Sequence, residues 1–350
     1  MINVNGKTIL LTNIRLKNYA GSEINCLSLA KFFQKQGTSV EVATLEYGMP
    51  IKRDFEKAGI DVKVIPEQKL SRTKYDLIWA HHSIVIDWLL FSENISADQI
   101  IISSLSAFEP YEAPPIYTNS CSLCLANSEE TKEKLLSEGI LPENIILFPN
   151  YVEKDWLATS MPKKIPSSPQ NIVIISNHIA PELLEAKLSL EKQNLKVDIY
   201  GEQYESVLIS PKLLQKYDLI ISIGKTVQYA MALQIPLYCY DIYGGPGYLD
   251  QDNMAKASFH NFSGRGFPKK TSGIIVEEIL PGYSSCLVFQ TKLLTYIKKN
   301  CILEKNMKKV LQFIKKQKPL DIQRIKCEYA IVGRHNHALV RAFPENKKSI

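Results

Sequence analysis

The residues whose spacing carries most chemistry are Gly224-Lys225-Thr226, which end an apolar strand-like run and open a helix-like one. A strand that stops there aims backbone N–H groups, the positive end of a helix dipole and one ammonium at a single point. Such a point suits a phosphate. The run is not a P-loop, because the upstream glycine of that motif is missing and position 220 is Ile. Lys225, at the helix start, is expected to be exposed, with Gln228 and Tyr229 following on the same helix. A second strand ending at Asp241 leads into Tyr243-Gly244-Gly245-Pro246-Gly247-Tyr248. This stretch reads as a loop in which missing side chains let a ligand approach the backbone and two tyrosines offer stacking faces.

Other polar groups fall at the carboxyl ends of strand-like runs, where sites of open α/β sheets collect. Ser176-Asn177-His178 and Gly201-Glu202 end two strands of the second half; His81-His82 and Ser104 end two of the first. Gly21-Ser22-Glu23 opens a helix after the first strand, with Ser22 also readable as a plain N-cap. Glu109, in Ser106-Ala107-Phe108-Glu109-Pro110, is a lone carboxylate available as a base or as a structural group. Arg265, between Gly264 and Gly266, forks onto a phosphate or sugar carboxylate in one reading and is solvated in the other. No metal is expected: Asp-x-Asp is missing apart from Asp250 and Asp252, which follow the glycine-rich stretch.

These residues need a scaffold, and the hydrophobic pattern supplies one. Short apolar runs at Thr8–Thr12, Ser39–Thr44, Val62–Ile65, Tyr75–Ala80, Ile100–Ser103, Ser120–Ala126 and Ile145–Phe148 alternate with helical stretches, which indicates a parallel sheet covered on both faces. Periodicity breaks at Pro162-Lys163-Lys164-Ile165-Pro166-Ser167-Ser168-Pro169, then restarts with strands at Asn171–Ser176 and Lys196–Tyr200. The expected organisation is an amino-terminal domain over 1–160, a linker over 161–170, a second domain over 171–285 and a basic helical region over 286–350. The pattern after Tyr283 is helical.

Four patches, Asn18-Tyr19-Ala20-Gly21-Ser22-Glu23, Ser176-Asn177-His178, the Gly224-Lys225-Thr226 helix with its Gly-Gly-Pro-Gly loop, and Asn261-Phe262-Ser263-Gly264-Arg265-Gly266, resemble those of GT-B nucleotide-sugar glycosyltransferases. The closest likeness is to family 4-like enzymes of bacterial surface polysaccharide synthesis. The resemblance implies an α/β chain of two Rossmann-like, doubly wound parallel-sheet domains facing a cleft. It implies a hexosyltransferase that moves a sugar from a UDP or GDP donor to a glycan or lipid-linked acceptor, with retention of configuration and no cofactor. The donor would then lie against Ser176, Asn177, His178, Gly201, Glu202, Gly224, Lys225, Thr226, Gln228, Tyr229, Gly244, Gly245, Gly247 and Arg265. The acceptor would lie near Gly21, Ser22, Glu23, Ser104 and Glu109, with His81, His82 and Lys225 acting on the reaction. A cation beside a leaving diphosphate stabilises charge that grows in the transition state. The chain departs from the family pattern at Tyr229, where a ribose-binding Glu is usual, and at Ser222, where the second acid of the pair would fall. Two rival readings stay open: a nucleotide-sugar epimerase, and a transferase-like binding partner that has lost turnover.

A chain of 350 residues, 45% hydrophobic and 22% charged, has the composition of an ordinary globular protein with room for two cores. No apolar run of membrane-spanning length and no signal peptide is read, so the chain is expected in the cytoplasm. Its seven cysteines are odd in number and scattered, as expected of reduced thiols, and Cys121-x-x-Cys124 reads as part of a buried strand. The net charge of +6 hides an imbalance, since residues 291–350 hold 15 Lys+Arg against 4 Asp+Glu. Lysines there alternate with Leu293, Leu294, Ile297, Val310, Leu311, Phe313 and Ile314. The pattern fits a helix on the anionic inner face of the cell membrane as well as a solvated face over a packed stripe. Nucleic acid is not an expected partner, and the oligomeric state is not legible.

Overall fold

The computed structural model describes residues 4–159 and 165–330. Two compact units emerge. The first holds the described residues up to Asn127, Thr131–Phe148 and those from Lys308 onward; the second holds Ser128–Glu130 and the described residues of Pro149–Met307.

In the first unit the chain runs β1 (Thr8–Leu16), α1 (Gly21–Lys35), β2 (Ser39–Tyr47), α2 (Lys52–Lys57), β3 (Asp61–Val64), β4 (Lys74–Ala80), α3 (Ser83–Phe91), β5 (Ser96–Ser104), β6 (Leu123–Ala126), α4 (Glu129–Ser137) and β7 (Ile145–Leu147). The strands form one seven-stranded sheet in the order β3-β2-β1-β4-β5-β6-β7. Every pairing in it is parallel. Sequence order reverses between β1 and β4, so a crevice opens outside their carboxyl ends. Helix α3 was missed in the sequence because Ser83–Phe91 is apolar almost throughout and has no polar face to set a period. It is buried from Val85 to Leu90 in the core beneath the sheet.

The second unit runs α5 (Lys154–Ala158), β8 (Asn171–Ile175), α6 (Pro181–Glu191), β9 (Lys196–Tyr200), α7 (Pro211–Leu214), β10 (Leu219–Ser222), α8 (Lys225–Leu233), β11 (Leu237–Asp241), β12 (Gly244–Tyr248), α9 (Met254–Phe259) and α10 (Ser272–Asn300). Its five strands lie in the order β12-β11-β10-β8-β9. The switch point falls between β8 and β10. Only β12 runs antiparallel, and it corrects the reading of Tyr243–Tyr248 as a loop: the glycines pair with β11.

Those glycines serve the protein's own backbone. A Cβ on Gly245 would lie 2.1 Å from the Cys239 carbonyl oxygen, and one on Gly244 would lie 2.6 Å from that of Pro268. Gly247 is hemmed in by Glu278, Lys270 and Tyr238. Tyr248 turns inward, its hydroxyl donating to Ile279 O, while Tyr243 stays exposed.

Helix α10 starts at Ser272, well before the helical pattern read from Tyr283, because Pro281-Gly282 and Ser284-Ser285 interrupt its apolar period. Across 29 residues it contains an 18-residue window of mean hydropathy 1.2, so one stretch does reach membrane-spanning length and composition. One face of it, including Ile275, Ile279, Tyr283, Leu293 and Ile297, is a wall of the second unit's core. Beyond it lie α11 (Leu303–Ile314) and α12 (Ile322–Glu328). On α11 Leu303, Met307, Val310, Leu311 and Ile314 are buried, while Lys305, Lys308 and Lys309 are exposed. These apolar side chains of the stripe are packed inside the protein, and residues 331–350 of the basic region lie outside the described residues. Ile322 and Ile325 of α12 complete the core of the first unit.

Gly201 gives the fold a direct test. A methyl there would sit 1.8 Å from the Ser176 carbonyl oxygen, whereas a Cβ on Gly21 meets nothing within 4 Å. Gly201→Ala is expected to destabilise the protein by about 2–4 kcal/mol, and Gly21→Ala to change stability by less than about 1 kcal/mol, in the favourable direction of helix propensity. Urea unfolding of the two variants checks this; equal stability would show that the β8 and β9 loops do not meet as described.

Candidate functional site

At the switch point of the second sheet, Ser176 follows β8 and Gly224 follows β10. Gly224 adopts φ +60° and ψ −133°, a conformation that L side chains rarely take, and a Cβ there would face open space. It is the N-cap of α8, and no side chain caps that helix. Its N–H is fixed from below by Phe262 O at 2.9 Å. Asn261 and Phe262 both hold positive φ, at 53° and 54°, a strained pair of left-handed residues. The Asn150 amide secures them by donating to Asn261 Oδ1 at 3.1 Å.

Lys225 is not exposed. It is 9% accessible, and its ammonium lies 3.7 Å from the ring centroid of Tyr151 and 5.7 Å from that of Tyr229. Burial pushes its pKa down to about 8, with the Glu153 carboxylate opposing that shift. The sequence pattern placed Lys225 at a helix start without showing that the chain before β8 brings Tyr151 and Trp156 against that helix. Tyr229 stacks flat on Trp156, centroids 3.9 Å apart with 4° between planes, inside the core of the unit. Gln228 is 1% exposed, and its amide nitrogen, correctly oriented, donates to Gly224 O at 2.5 Å. Neither residue is turned outward toward a ribose. Thr226 remains partly accessible in the first turn.

The loops beside α8 are tied to one another. Ser176 Oγ donates to Asp241 Oδ2, and the His178 N–H donates to Ser176 Oγ at 3.0 Å. Asp241, which sequence reasoning passed over as a strand end, is 2% exposed. Asn177 is half-buried, and His178 and Glu202 are exposed. Gly201 closes a turn with Glu205 and touches Ser176, so its missing side chain serves packing rather than approach to a nucleoside. Arg265 is engaged by Glu130: Nη2 to Oε2 is 2.5 Å and Nε to Oε2 is 3.1 Å, and His260 Nδ1 lies 2.6 Å from Oε1 of the same carboxylate. The fork is made with the protein's own carboxylate, where the sequence left a phosphate or sugar carboxylate and solvent as the two alternatives.

In the first unit, His81 and His82 follow β4 at the β1/β4 switch point. His82 holds φ +64°, again a strained backbone. Its Nδ1 accepts the Ile14 N–H at 3.1 Å, which puts the proton on Nε2, 3.3 Å from Glu112 Oε1. Both ring nitrogens are therefore engaged. His81 Nδ1 lies 3.3 Å from Thr12 O, and burial pushes its pKa down to about 4, so the ring is neutral at pH 7. Glu109 is exposed; the carboxylate that meets His82 is Glu112, whose Oε2 accepts the Leu105 N–H at 2.8 Å. Ser104 bonds the Ser106 and Glu112 carbonyls. Two carboxylates three residues apart in one loop give no sequence signal of which turns inward.

At the start of α1 the N-cap is Ala20, with no side-chain bond, and Ser22 lies inside the helix. Glu23 is 3% exposed and accepts the N–H groups of Asn18 at 2.5 Å and Lys17 at 3.3 Å. It fastens the loop after β1 instead of facing an acceptor. Gly21 does open onto free space. Cys121 and Cys124 are both buried, and burial raises the Cys124 thiol to about 12, as suits packing thiols.

No family model matches the sequence, and no curated protein matches it. Solved structures do match. Anabaena HepE in complex with UDP-glucose has a TM-score of 0.60 at 14% identity, over 89% of this chain and 100% of that one. A glycosyltransferase from Rickettsia africae has a TM-score of 0.58 at 14% identity, over 89% and 98%. S. aureus TarM, in a complex with UDP, alpha-GlcNAc-glycerol and Fondaparinux, has a TM-score of 0.58 at 11% identity, over 88% and 99%. Two doubly wound units, a single antiparallel edge strand and likeness over nearly the whole length have one meaning: the chain has the GT-B fold of these glycosyltransferases.

Proposed function

We propose that the protein is a glycosyltransferase that takes a sugar from a nucleoside diphosphate donor. The observation that carries this reading is the β8/β10 switch point of a GT-B second unit, where α8 begins at an uncapped glycine facing open space. Backbone N–H groups and the helix dipole supply the diphosphate site. Thr226 flanks it; His178 and Glu202 lie on the loops after β8 and β9. Neutral His81 is buried behind the carboxyl edge of the first sheet, while His82, bonded through both nitrogens, holds the Glu112 loop in place. UDP is the first nucleotide to test, because HepE is seen with UDP-glucose and TarM with UDP. The acceptor class proposed is a surface glycan or its lipid-linked precursor, with transfer at the inner face of the cell membrane. A retaining, metal-independent reaction belongs to the same reading.

A binding protein without turnover is the second reading. What favours it is α8 itself, which carries no carboxylate and turns Gln228 and Tyr229 inward. Melting the protein with UDP-glucose, UDP-N-acetylglucosamine and GDP-mannose, each with an assay for sugar release, separates the two. One donor at a hundred times its Kd should add about 2.7 kcal/mol of stability. Release of sugar selects the enzyme, stabilisation without release selects the binding protein, and neither effect with any donor sinks both.

Lys225 now leads to a split outcome. Lys225→Ala removes a buried stem and a cation–π contact and is expected to lose about 2–3 kcal/mol of stability. Lys225→Met keeps the volume, should stay within about 1 kcal/mol of the parent and should weaken donor binding by less than about tenfold, since the ammonium acts through space. Loss of binding by about 100-fold in a well-folded Lys225→Met protein would show direct contact with phosphate.

Ribose recognition gives another check. Without a carboxylate on α8 to take paired ribose hydroxyls, a 2′-deoxy nucleoside diphosphate should bind within about tenfold of the ribo form. Discrimination of about 100-fold or more, read by calorimetry, would mean that another group, with Glu202 on the loop after β9 as the candidate, makes those bonds.

A further inference from the structure

Asp241 is the buried ionisable group that the donor reading leaves unused. In the β10/β11 register Ser222 pairs with Cys239, so Gly224 and Asp241 each stand two residues beyond the last pair, at the same height on the carboxyl edge. From β11 the Asp241 side chain reaches Ser176 beyond β8, and β10 lies between those two strands. The carboxylate therefore spans the end of β10 at the level where α8 begins. Ser222 Oγ fills the tier below by donating to Ile175 O at 2.7 Å. Asp241 Oδ2 takes the Ser176 hydroxyl; Oδ1 is buried and has no hydrogen-bond partner among the described residues.

No Lys or Arg pairs with Asp241 among the described residues. The titratable groups that sense it are His178 on the loop after β8, whose charge favours the carboxylate, and the Cys239 thiol on β11, with Lys270 acting on that thiol in turn. Burial dominates and pushes the Asp241 pKa up to about 6, opposed by the Ser176 hydroxyl and by the N–H groups of Ile242 and Ala180, which lie near the carboxylate without meeting hydrogen-bond geometry. An ionised Asp241 would thus meet a diphosphate seated at α8 as a like charge in a poorly solvated place.

We propose that Asp241 is a proton-linked positioning residue of the donor site, taking one proton from solvent when a nucleoside diphosphate sugar binds. The inference rests on the donor reading. Protonation removes the like charge and keeps the Ser176 bond, which holds the loop carrying His178. Bond and charge are thereby separable by Asp241→Asn, which retains an acceptor for Ser176 and cannot ionise.

Two measurements test it. UDP-glucose is a suitable first probe, because neither of its phosphates has a second ionisation near neutrality; if another donor of the melting panel binds, that donor replaces it. Wild-type affinity should weaken about tenfold from pH 6 to pH 7.5, with proton uptake seen as a dependence of the binding enthalpy on the buffer. Asp241→Asn should lose both effects, and His178→Ala should keep them. The second measurement needs no ligand. The folded carboxyl holds its proton to about pH 6, whereas the ordinary value for an aspartate is 3.8. The contribution of Asp241 to stability is therefore complete below the lower value and is lost as pH rises through the upper one. The melting temperature of Asp241→Asn should accordingly gain on that of the wild type from pH 4 to pH 7. A pH profile of binding that is the same in wild type and Asp241→Asn, or one flattened by His178→Ala alone, overturns the inference and leaves the donor reading standing. So does a melting difference that is constant with pH. Failure of every donor to bind overturns both.

Discussion

The second unit depends on backbone meeting backbone at the carboxyl edge of its sheet. A Cβ would lie 1.8 Å from a carbonyl oxygen at Gly201, 2.1 Å at Gly245 and 2.2 Å at Gly264. These contacts are closer than any side chain allows, so they fix which loops can be neighbours. The loop after β9 lies against that after β8, β12 folds onto β11, and the Asn261–Gly266 segment lies on β12. Through Phe262 O the last of these holds the Gly224 N–H and with it the start of α8. The strain of two consecutive left-handed residues is sustained by this surrounding network.

On that rigid edge the charges are placed at some expense. Lys225 and Asp241 are both buried, and burial moves each toward its neutral form, against the Glu153 carboxylate at Lys225 and the Ser176 hydroxyl at Asp241. Arg265, by contrast, is met by a carboxylate in a two-bond fork, the arrangement in which a guanidinium keeps its charge at least loss. A structural Arg and two easily neutralised groups near α8 form a different electrostatic plan from the one suggested by counting cations along the sequence. An anion at α8 is served chiefly by backbone dipoles, which lose nothing to titration.

The architecture was legible because it follows from period and punctuation. The strand from Thr8, the helix closed before Gly37 and the strand ending at Asp241 are each set by local apolar pattern and a glycine or proline. What was not legible is where side chains turn when two segments far apart in sequence meet. Tyr151 and Trp156 lie about seventy residues before Lys225 and Tyr229, a separation at which no local pattern reports contact. Glu23 and Gln228 look like ligand groups by type and are taken up by backbone of their own loop or helix. The glycines of Gly244-Gly245-Pro246-Gly247 were read correctly as places of close approach, but the approaching group is protein.

The same physics runs through both sheets, with opposite results for their most reactive-looking residues. His82 has a strained backbone and a carboxylate partner, the usual marks of a working base, yet the Ile14 N–H occupies the nitrogen a base would need. That bond ties the ring to the backbone of β1, while Nε2 faces Glu112 across 3.3 Å. His81 is buried altogether, with its Nδ1 against Thr12 O, and burial keeps its ring neutral. Both rings therefore serve to hold backbone in place at this edge, His82 between β1 and the Glu112 loop and His81 against the Thr12 carbonyl.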